Sequence, residues 1–576
     1  MTWIGSLAPV SKERPSDALP DGLRRQVEAW IAADPDPATR AELEEMLARR
    51  DATGLAARFS RPLRFGTAGL RARLGAGPAR MNRLVVRRTT TGLAAWVGNQ
   101  GPGAAEAGVV IGRDARHGSE VFAADAAEVA AARGLRVHPF ARPLPTPLTA
   151  FAVRHLGAAA GVMVTASHNP APDNGYKLYV SDGAQVIPPD DAAVAEAAAA
   201  AEDVPVGSPP RRPGAVGEPI DTAVMAAYGD MALGLLDPAG PRELRVVYTP
   251  MHGVGGAVLP DLLTAAGFER PVLVTEQAAP DPEFPTLPRP NPEEPGALDP
   301  ALSAARSSGA DLVLANDPDA DRLAVAVADR GGGWRTLTGD ELGILLAEHR
   351  LGSTSGPGRL VATTIVSSQM LSKLAAEAGV AYEETLTGFK WIARAARRRP
   401  GHRLVFGYEE ALGYAVTDAV ADKDGLTAAL LAAELAARGV ADGWSLLDRL
   451  DALEARLGVH RTAQWTRYAE EPDAAEELAG IVASWRRQPP EALGGLAVTE
   501  VVDYAHGVDG LPPTDAVAVR LGTAARVVLR PSGTEPKMKV YLEVVTAPPG
   551  TARLAAARQQ AARLLEVVTA DVADRC

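Results

Sequence analysis

Three aspartates stand at alternate positions in NDPDADR, residues 316–322. Asp317, Asp319 and Asp321 would repel one another unless a cation sits among them. A hard divalent ion is the natural neutraliser, and three short carboxylates leave places for water or phosphate, which favours Mg2+ over Ca2+. The EF-hand pattern is excluded, because Arg322 stands where it needs glycine and Ala328 where it needs glutamate. A turn with solvated charges is the plainer alternative. The apolar runs DLVLA and LAVAVAD on either side weigh against it.

A second candidate is VTASHNP, residues 164–170, where an apolar run gives way to Ser167, His168, Asn169 and Pro170. A hydroxyl just past a buried strand lies on rigid scaffold beside an exposed loop, where α/β folds place reactive groups. The same residues also make ordinary turns. A Ser-His-Asp hydrolase is disfavoured: His168 adjoins the serine in an extended segment, and no G-x-S-x-G elbow surrounds it.

Two further loops suit phosphate and sugar. RPSGTEPKMK, residues 530–539, offers the planar fork of Arg530, the hydroxyls of Ser532 and Thr534 and the backbone N–H groups around Gly533. A Ser-Gly hairpin turn accounts for it equally well. In GYEEALGY, residues 407–414, Glu409 and Glu410 could accept hydrogen bonds from vicinal sugar hydroxyls, or stand solvated at a helix start. RFGTAGLRARLGAG, residues 64–77, is rich in arginine and glycine and suits anion contact, without the order of a Walker A loop.

Elements must hold these loops. At 576 residues the chain exceeds what one core supports, so three to five domains are expected. Helical spacing marks 22–58 as an N-terminal helical extension. From 60 onward the apolar runs RLVVRR, AGVVIGRD, RVHPFA and GVMVTAS read as strands alternating with alanine-rich helices, the pattern of α/β layering. Similar units begin near 241 and 339, whereas the tail from about 490 reads as α+β. The Pro- and Gly-rich segment 204–219 reads as a surface loop. A formal net charge of -12 disfavours nucleic acid and anionic membranes as partners, and no apolar run is long enough to span a bilayer. The lone Cys576 excludes internal disulfides. The N-terminal residues lack the layout of a secretory signal, so a cytoplasmic location is expected.

TASHNP with NGYK, DPDADR, GYEEALGY and RPSGTEP, in this order, closely resemble the α-D-phosphohexomutase family of phosphoglucomutases and phosphomannomutases. YTPMHGVG (248–255) and DPEFPTLPRPNPEEP (281–295) resemble the branch with bacterial phosphoglucomutases and phosphopentomutase-type enzymes. The resemblance implies four domains around a central cleft, three α/β with mixed sheets and a C-terminal α+β, TATA-binding-protein-like domain, at 59–235, 236–335, 336–460 and 461–576. It implies a phosphoserine at Ser167 whose phosphate joins Asp317, Asp319 and Asp321 around Mg2+, with His168, Lys177, Arg71 and Arg322 beside it. It further implies sugar contacts from Glu409 and Glu410, a substrate loop with Thr387, Gly388 and Lys390, and Lys423 as general acid or base. Arg530, Ser532, Gly533 and Thr534 would hold the non-reacting phosphate. The implied reaction converts glucose 1-phosphate to glucose 6-phosphate through glucose 1,6-bisphosphate, in a monomer or weak homodimer. Pentose or mannose phosphates are the alternative substrates, and a metal-dependent phosphohydrolase is the rival of another class. Ala411 and Leu412 stand where the commonest sugar loop has a serine, which leaves sugar selectivity open.

Overall fold

The computed structural model describes residues 19–66, 69–200, 202–468, 474–531 and 537–576. Three successive units repeat one sheet plan. In the first, β1 (Leu70–Arg73), β2 (Val109–Arg113), β3 (Val137–Pro139), β4 (Ala160–Val164) and β5 (Asp173–Val180) lie in the order β1-β5-β4-β2-β3. In the second, β6 (Val246–Thr249), β7 (Val272–Leu273), β8 (Leu312–Ala315), β9 (Ala324–Ala328) and β10 (Trp334–Thr336) lie in the order β10-β9-β8-β6-β7. In the third, β11 (Arg359–Thr364), β12 (Ala381–Thr385), β13 (Arg403–Glu409) and β14 (Gly413–Ala415) lie in the order β12-β11-β13-β14.

Each unit pairs parallel strands through helical crossovers and then turns back on an antiparallel strand: β4 to β5, β8 to β9 and β13 to β14. The VTASHNP, NDPDADR and GYEEALGY loops all sit at that turn-back, just past the carboxyl end of the central strand. Open α/β sheets place ligand sites at such strand ends. The fourth unit is wholly antiparallel: β15 (His460–Tyr468), β18 (Glu500–Asp503), β19 (Val517–Leu521), β20 (Ala525–Pro531) and β21 (Lys537–Val545) run in the order β15-β21-β20-β19-β18. A separate hairpin joins β16 (Ala492–Leu493) to β17 (Leu496–Ala497).

The run RLVVRR, read as a strand, lies instead in the helix Arg83–Gly98. Asn82 caps that helix by accepting from the Val85 N–H, and Leu84, Val86, Leu93 and Val97 fill the first unit's core from it. Packing around the turn of a helix outweighed β propensity there. The N-terminal helices Asp21–Ala33, Pro37–Ala48 and Ala52–Phe59 add Val27, Trp30, Leu43 and Leu55 to the same core.

A buried charge cluster joins the third and fourth units. Glu543 on β21 accepts from Ser368 Oγ at 2.9 Å and the Gln369 N–H at 2.8 Å, and pairs with His460 at 2.8 Å and Arg526 at 3.1 Å. Arg526 also reaches Glu384 and the Ser367 carbonyl. Burial alone would raise the Glu543 carboxyl, but His460, Arg526 and the Gln369 N–H lower it to about 2. A carboxyl depressed on folding adds stability that is full above its ordinary range and is lost as the pH falls toward 2. Glu543→Gln should therefore lower stability by roughly 3 kcal/mol at pH 7 and by little near pH 2. Urea unfolding at the two pH values checks this.

Candidate active site

The Asp317, Asp319 and Asp321 carboxylates are fully buried, with one oxygen of each within 4.8 Å of the others. Ala320 turns the loop in a left-handed conformation, φ +55°. A close neighbour steadies the loop from behind: a Cβ at Gly253 would lie 2.3 Å from the Pro318 Cα, so only glycine permits this approach. The Val254 N–H donates to the Pro318 carbonyl at 2.9 Å.

Ser167 meets this cluster. Its Oγ donates to Asp317 Oδ2 at 2.6 Å and lies 3.2 Å from His168 Nδ1. The residue is buried and left-handed, φ +53°, with its N–H held by Thr165 Oγ1. Lys177, wholly buried on β5, donates to Asp319 Oδ2 and Asp321 Oδ2, each at 2.7 Å. Thr146 Oγ1 donates to Asp319 Oδ2 at 2.6 Å. From the third unit Lys423 reaches Asp321 at 3.2 Å. Its neighbours are pinned: Asp422 accepts from Tyr179 and Gln185, and Asp424 caps the helix Gly425–Asp442 and accepts from Tyr228.

The placement of these cations splits the three carboxyls. Burial, reinforced by Asp319 and Asp321, pushes Asp317 up to about 8. Burial also acts on Asp319 and Asp321, but Lys177 at both, joined by Lys423 at Asp321, brings them below the usual range. Lys177 and Lys423 are in turn held protonated, since the carboxylates outweigh their burial. Burial and the nearby Arg322 and Arg71 keep His168 neutral, well below its ordinary value. Asp319 Oδ1 and Asp321 Oδ1 are buried without hydrogen-bond partners. Two unpaired oxygens in a trio of hard carboxylate donors fit a divalent cation.

A 600 Å³ cavity opens in front, lined by His168 and Asn169 from the first unit, Arg289, Glu293 and Arg322 from the second, Ala411 from the third, and Lys537 and Lys539 from the fourth. Arg322 pairs with Glu293 at 3.0 Å. Arg71 on β1 donates to Asn169 Oδ1 at 3.4 Å. Glu409 accepts from the Gly388 N–H at 2.7 Å, and burial raises it to about 7 despite Lys423. Glu410 accepts from Ser367 and Thr364, and burial raises it too. These two glutamates therefore end β13 in a turn rather than starting a helix. Thr387 Oγ1 is buried without a partner. Lys390 reaches across to the Gly66 carbonyl at 3.4 Å, bridging the third unit to the first. Arg530 on β20 faces Lys539 across the sheet. Ser532, Gly533 and Thr534 lie outside the described residues.

Sequence reasoning missed Thr146 and Glu293. The alternation of charged and proline residues in PRPNPEEP carries the signal for Glu293; nothing local carried it for Thr146, whose partner is 173 positions away.

Four mixed or antiparallel sheets thus bring buried carboxylates, a serine and a cation-lined hollow together. The models for phosphoglucomutase/phosphomannomutase α/β/α domains I, II and III match residues 62–204, 227–332 and 338–454, and that for the C-terminal domain matches 467–561. The chain belongs to this family, and it is a phosphomutase, an enzyme that moves phosphate within a sugar phosphate. It is 34% identical over 568 residues to human phosphopentomutase, covering 92% of each chain. It is 33% identical to a Staphylococcus aureus phosphoglucomutase, over 84% of this chain and 90% of that one. A crystal structure of a phosphoglucomutase/phosphomannomutase family protein from Burkholderia thailandensis shares the fold, with a TM-score of 0.64 at 21% identity over 87% of this chain and 97% of that one.

Removing one partner from a buried charge cluster costs more than the pair contributes. Lys177→Met should therefore destabilise the protein by about 3–5 kcal/mol, read as the shift in free energy of urea unfolding.

Proposed function

We propose that the chain is a Mg2+-dependent mutase interconverting glucose 1-phosphate and glucose 6-phosphate through a phosphoserine at Ser167. The contact that carries this reading is Ser167 Oγ against Asp317 at 2.6 Å, directly behind His168, which lines a cavity shared by all four units. Held by Asp317, Asp319 and Asp321, the cation would offset the charge of the phosphoryl group in transfer.

The rest falls to the chain's own residues. In the first half-reaction the bond between Ser167 Oγ and phosphorus breaks as one forms to the free hydroxyl of glucose 1-phosphate, giving glucose 1,6-bisphosphate. The intermediate turns in the cleft, and its other phosphate returns to Ser167. Glu409, poised near 7, takes the hydroxyl proton as Ser167 Oγ leaves as an oxyanion balanced by the surrounding cations. In the return half that oxyanion attacks the other phosphate, and Glu409, with the protonated Lys423 beside it, gives the proton back to the departing sugar oxygen. Arg71, Arg322 and Lys177 add positive charge at the transfer point, with neutral His168 against the serine oxygen. Arg530, with Ser532, Gly533 and Thr534, would hold the phosphate that does not react, and Glu410, Thr387, Gly388 and Lys390 would frame the sugar. The domain borders near 58, 235, 335 and 460 and a cytoplasmic setting belong to the same reading.

A second reading, pentose 1- and 5-phosphates as substrates, is favoured by the full-length match to a phosphopentomutase and by Ala411 and Leu412 in the sugar loop. Either sugar leaves the phosphoserine chemistry unchanged. Intact mass should show one phosphate on the wild type and none on Ser167→Ala, which should be inactive; an active Ser167→Ala enzyme would refute the mechanism. Ratios of kcat/KM on glucose and ribose 1-phosphates, with glucose 1,6-bisphosphate present, choose between the substrates.

Glu409 works as a carboxylate, so protonation as the pH falls through about 7 should switch it off. Activity is expected to fall about tenfold per unit on the acid side. Glu409→Gln should be slow at every pH and lose that limb; a profile unchanged by the substitution would remove the assignment.

A further inference from the structure

The segments YTPMHGVG and DPEFPTLPRPNPEEP do more than back the aspartate loop and line the cavity. In the structure they meet behind the reactive loops. Arg116, buried in GRDAR just past β2, is turned into the VTASHNP loop. Its guanidinium donates to four backbone carbonyls there: Ser167 and Asn169 at 2.5 Å, Pro170 at 3.0 Å and Asp173 at 3.2 Å. One rigid fork thus ties together both ends of the loop that carries the serine.

The other face of that fork belongs to the second unit. The Phe284 ring covers the Arg116 guanidinium at 4.8 Å, and the adjacent Glu283 contacts His117 at 2.6 Å. Phe284 is buried and left-handed, φ +46°, an expensive conformation for an aromatic residue that its surroundings must impose. Two residues on, Thr286 bonds His252 at 2.8 Å, and His252 precedes Gly253 and Val254, which grip Pro318 of the aspartate loop. Contacts joined by short stretches of backbone therefore link the aspartates to the serine loop: Pro318 to Val254, His252 to Thr286, and Phe284 to Arg116.

We propose that Arg116 is a positioning residue for phosphoryl transfer and that Phe284 is the brace through which the second unit sets it. This rests on Ser167 as the phosphoryl carrier. Arg116 touches no reacting atom; it holds Ser167 in register with Asp317. A lysine in its place keeps the charge but cannot span four carbonyls. Leucine at 284 keeps apolar bulk and removes the ring face.

The tests are steady-state kinetics and the rate at which Ser167 acquires phosphate from glucose 1,6-bisphosphate, followed by intact mass. A displacement of about 1 Å at a reacting group costs on the order of a hundredfold in rate. Arg116→Lys should lose kcat on that scale with KM changed less than about threefold, and should slow Ser167 phosphorylation equally. Phe284→Leu should lose about tenfold in both. Phe284→Leu decides alone if Arg116→Lys yields no folded protein. Wild-type phosphorylation rates in a folded variant would overturn the proposal, as would a loss confined to KM. A wild type that takes up no phosphate would instead fail the phosphoserine reading.

Discussion

Three carboxylates buried within a few ångströms of one another are the constraint on which this molecule turns. Alone, a fully desolvated trio of negative charges is untenable. The second unit, which supplies it, compensates part of it through Arg322, whose backbone N–H donates to Asp317 at 3.1 Å. The lysines come from elsewhere: Lys177 from the first unit and Lys423 from the third, with Thr146 and Ser167 donating from the first. Like-charge repulsion in one sheet is thereby turned into attraction between three.

The repeated sheet plan makes this convergence possible. Each α/β unit turns back on an antiparallel strand after its central parallel one, and each places its distinctive loop at that turn. Three similar scaffolds thus present a serine, a carboxylate trio and a glutamate pair from equivalent points. Close approach between them needs the absence of a side chain in specific places. At Gly425 a Cβ would lie 2.2 Å from the Arg322 carbonyl, so the DKDG turn can bring Lys423 up to the aspartates only because that residue is glycine. The fourth unit differs in plan and attaches through the buried Glu543 and Arg526 cluster, which also grips Ser367, the residue that holds Glu410.

Much of the site was legible because its residues are informative in short stretches. Alternating aspartates between two apolar strands announce a cation whatever the fold, and a serine followed by His-Asn-Pro after a buried strand announces a turn on rigid scaffold. That turn is not exposed as expected: Ser167 is buried under its neighbours and the residues just after it are half-buried. Other features were opaque for equally physical reasons. RLVVRR has the composition of a strand and became a helix because Asn82 capped it and its neighbours offered a helical groove. Arg116 looks like any surface arginine until a loop fifty residues later closes around it.

From residue types and local spacing came the α/β class, the four loops and the chemistry each could support, because hydrophobic period, turn residues and charge repulsion act over a few positions. Which carboxyl stays protonated, which lysine answers which aspartate, and how Phe284 comes to cover Arg116 were decided only in three dimensions. Burial and Coulomb energy depend on distances between atoms, and those distances are set when separate units pack together.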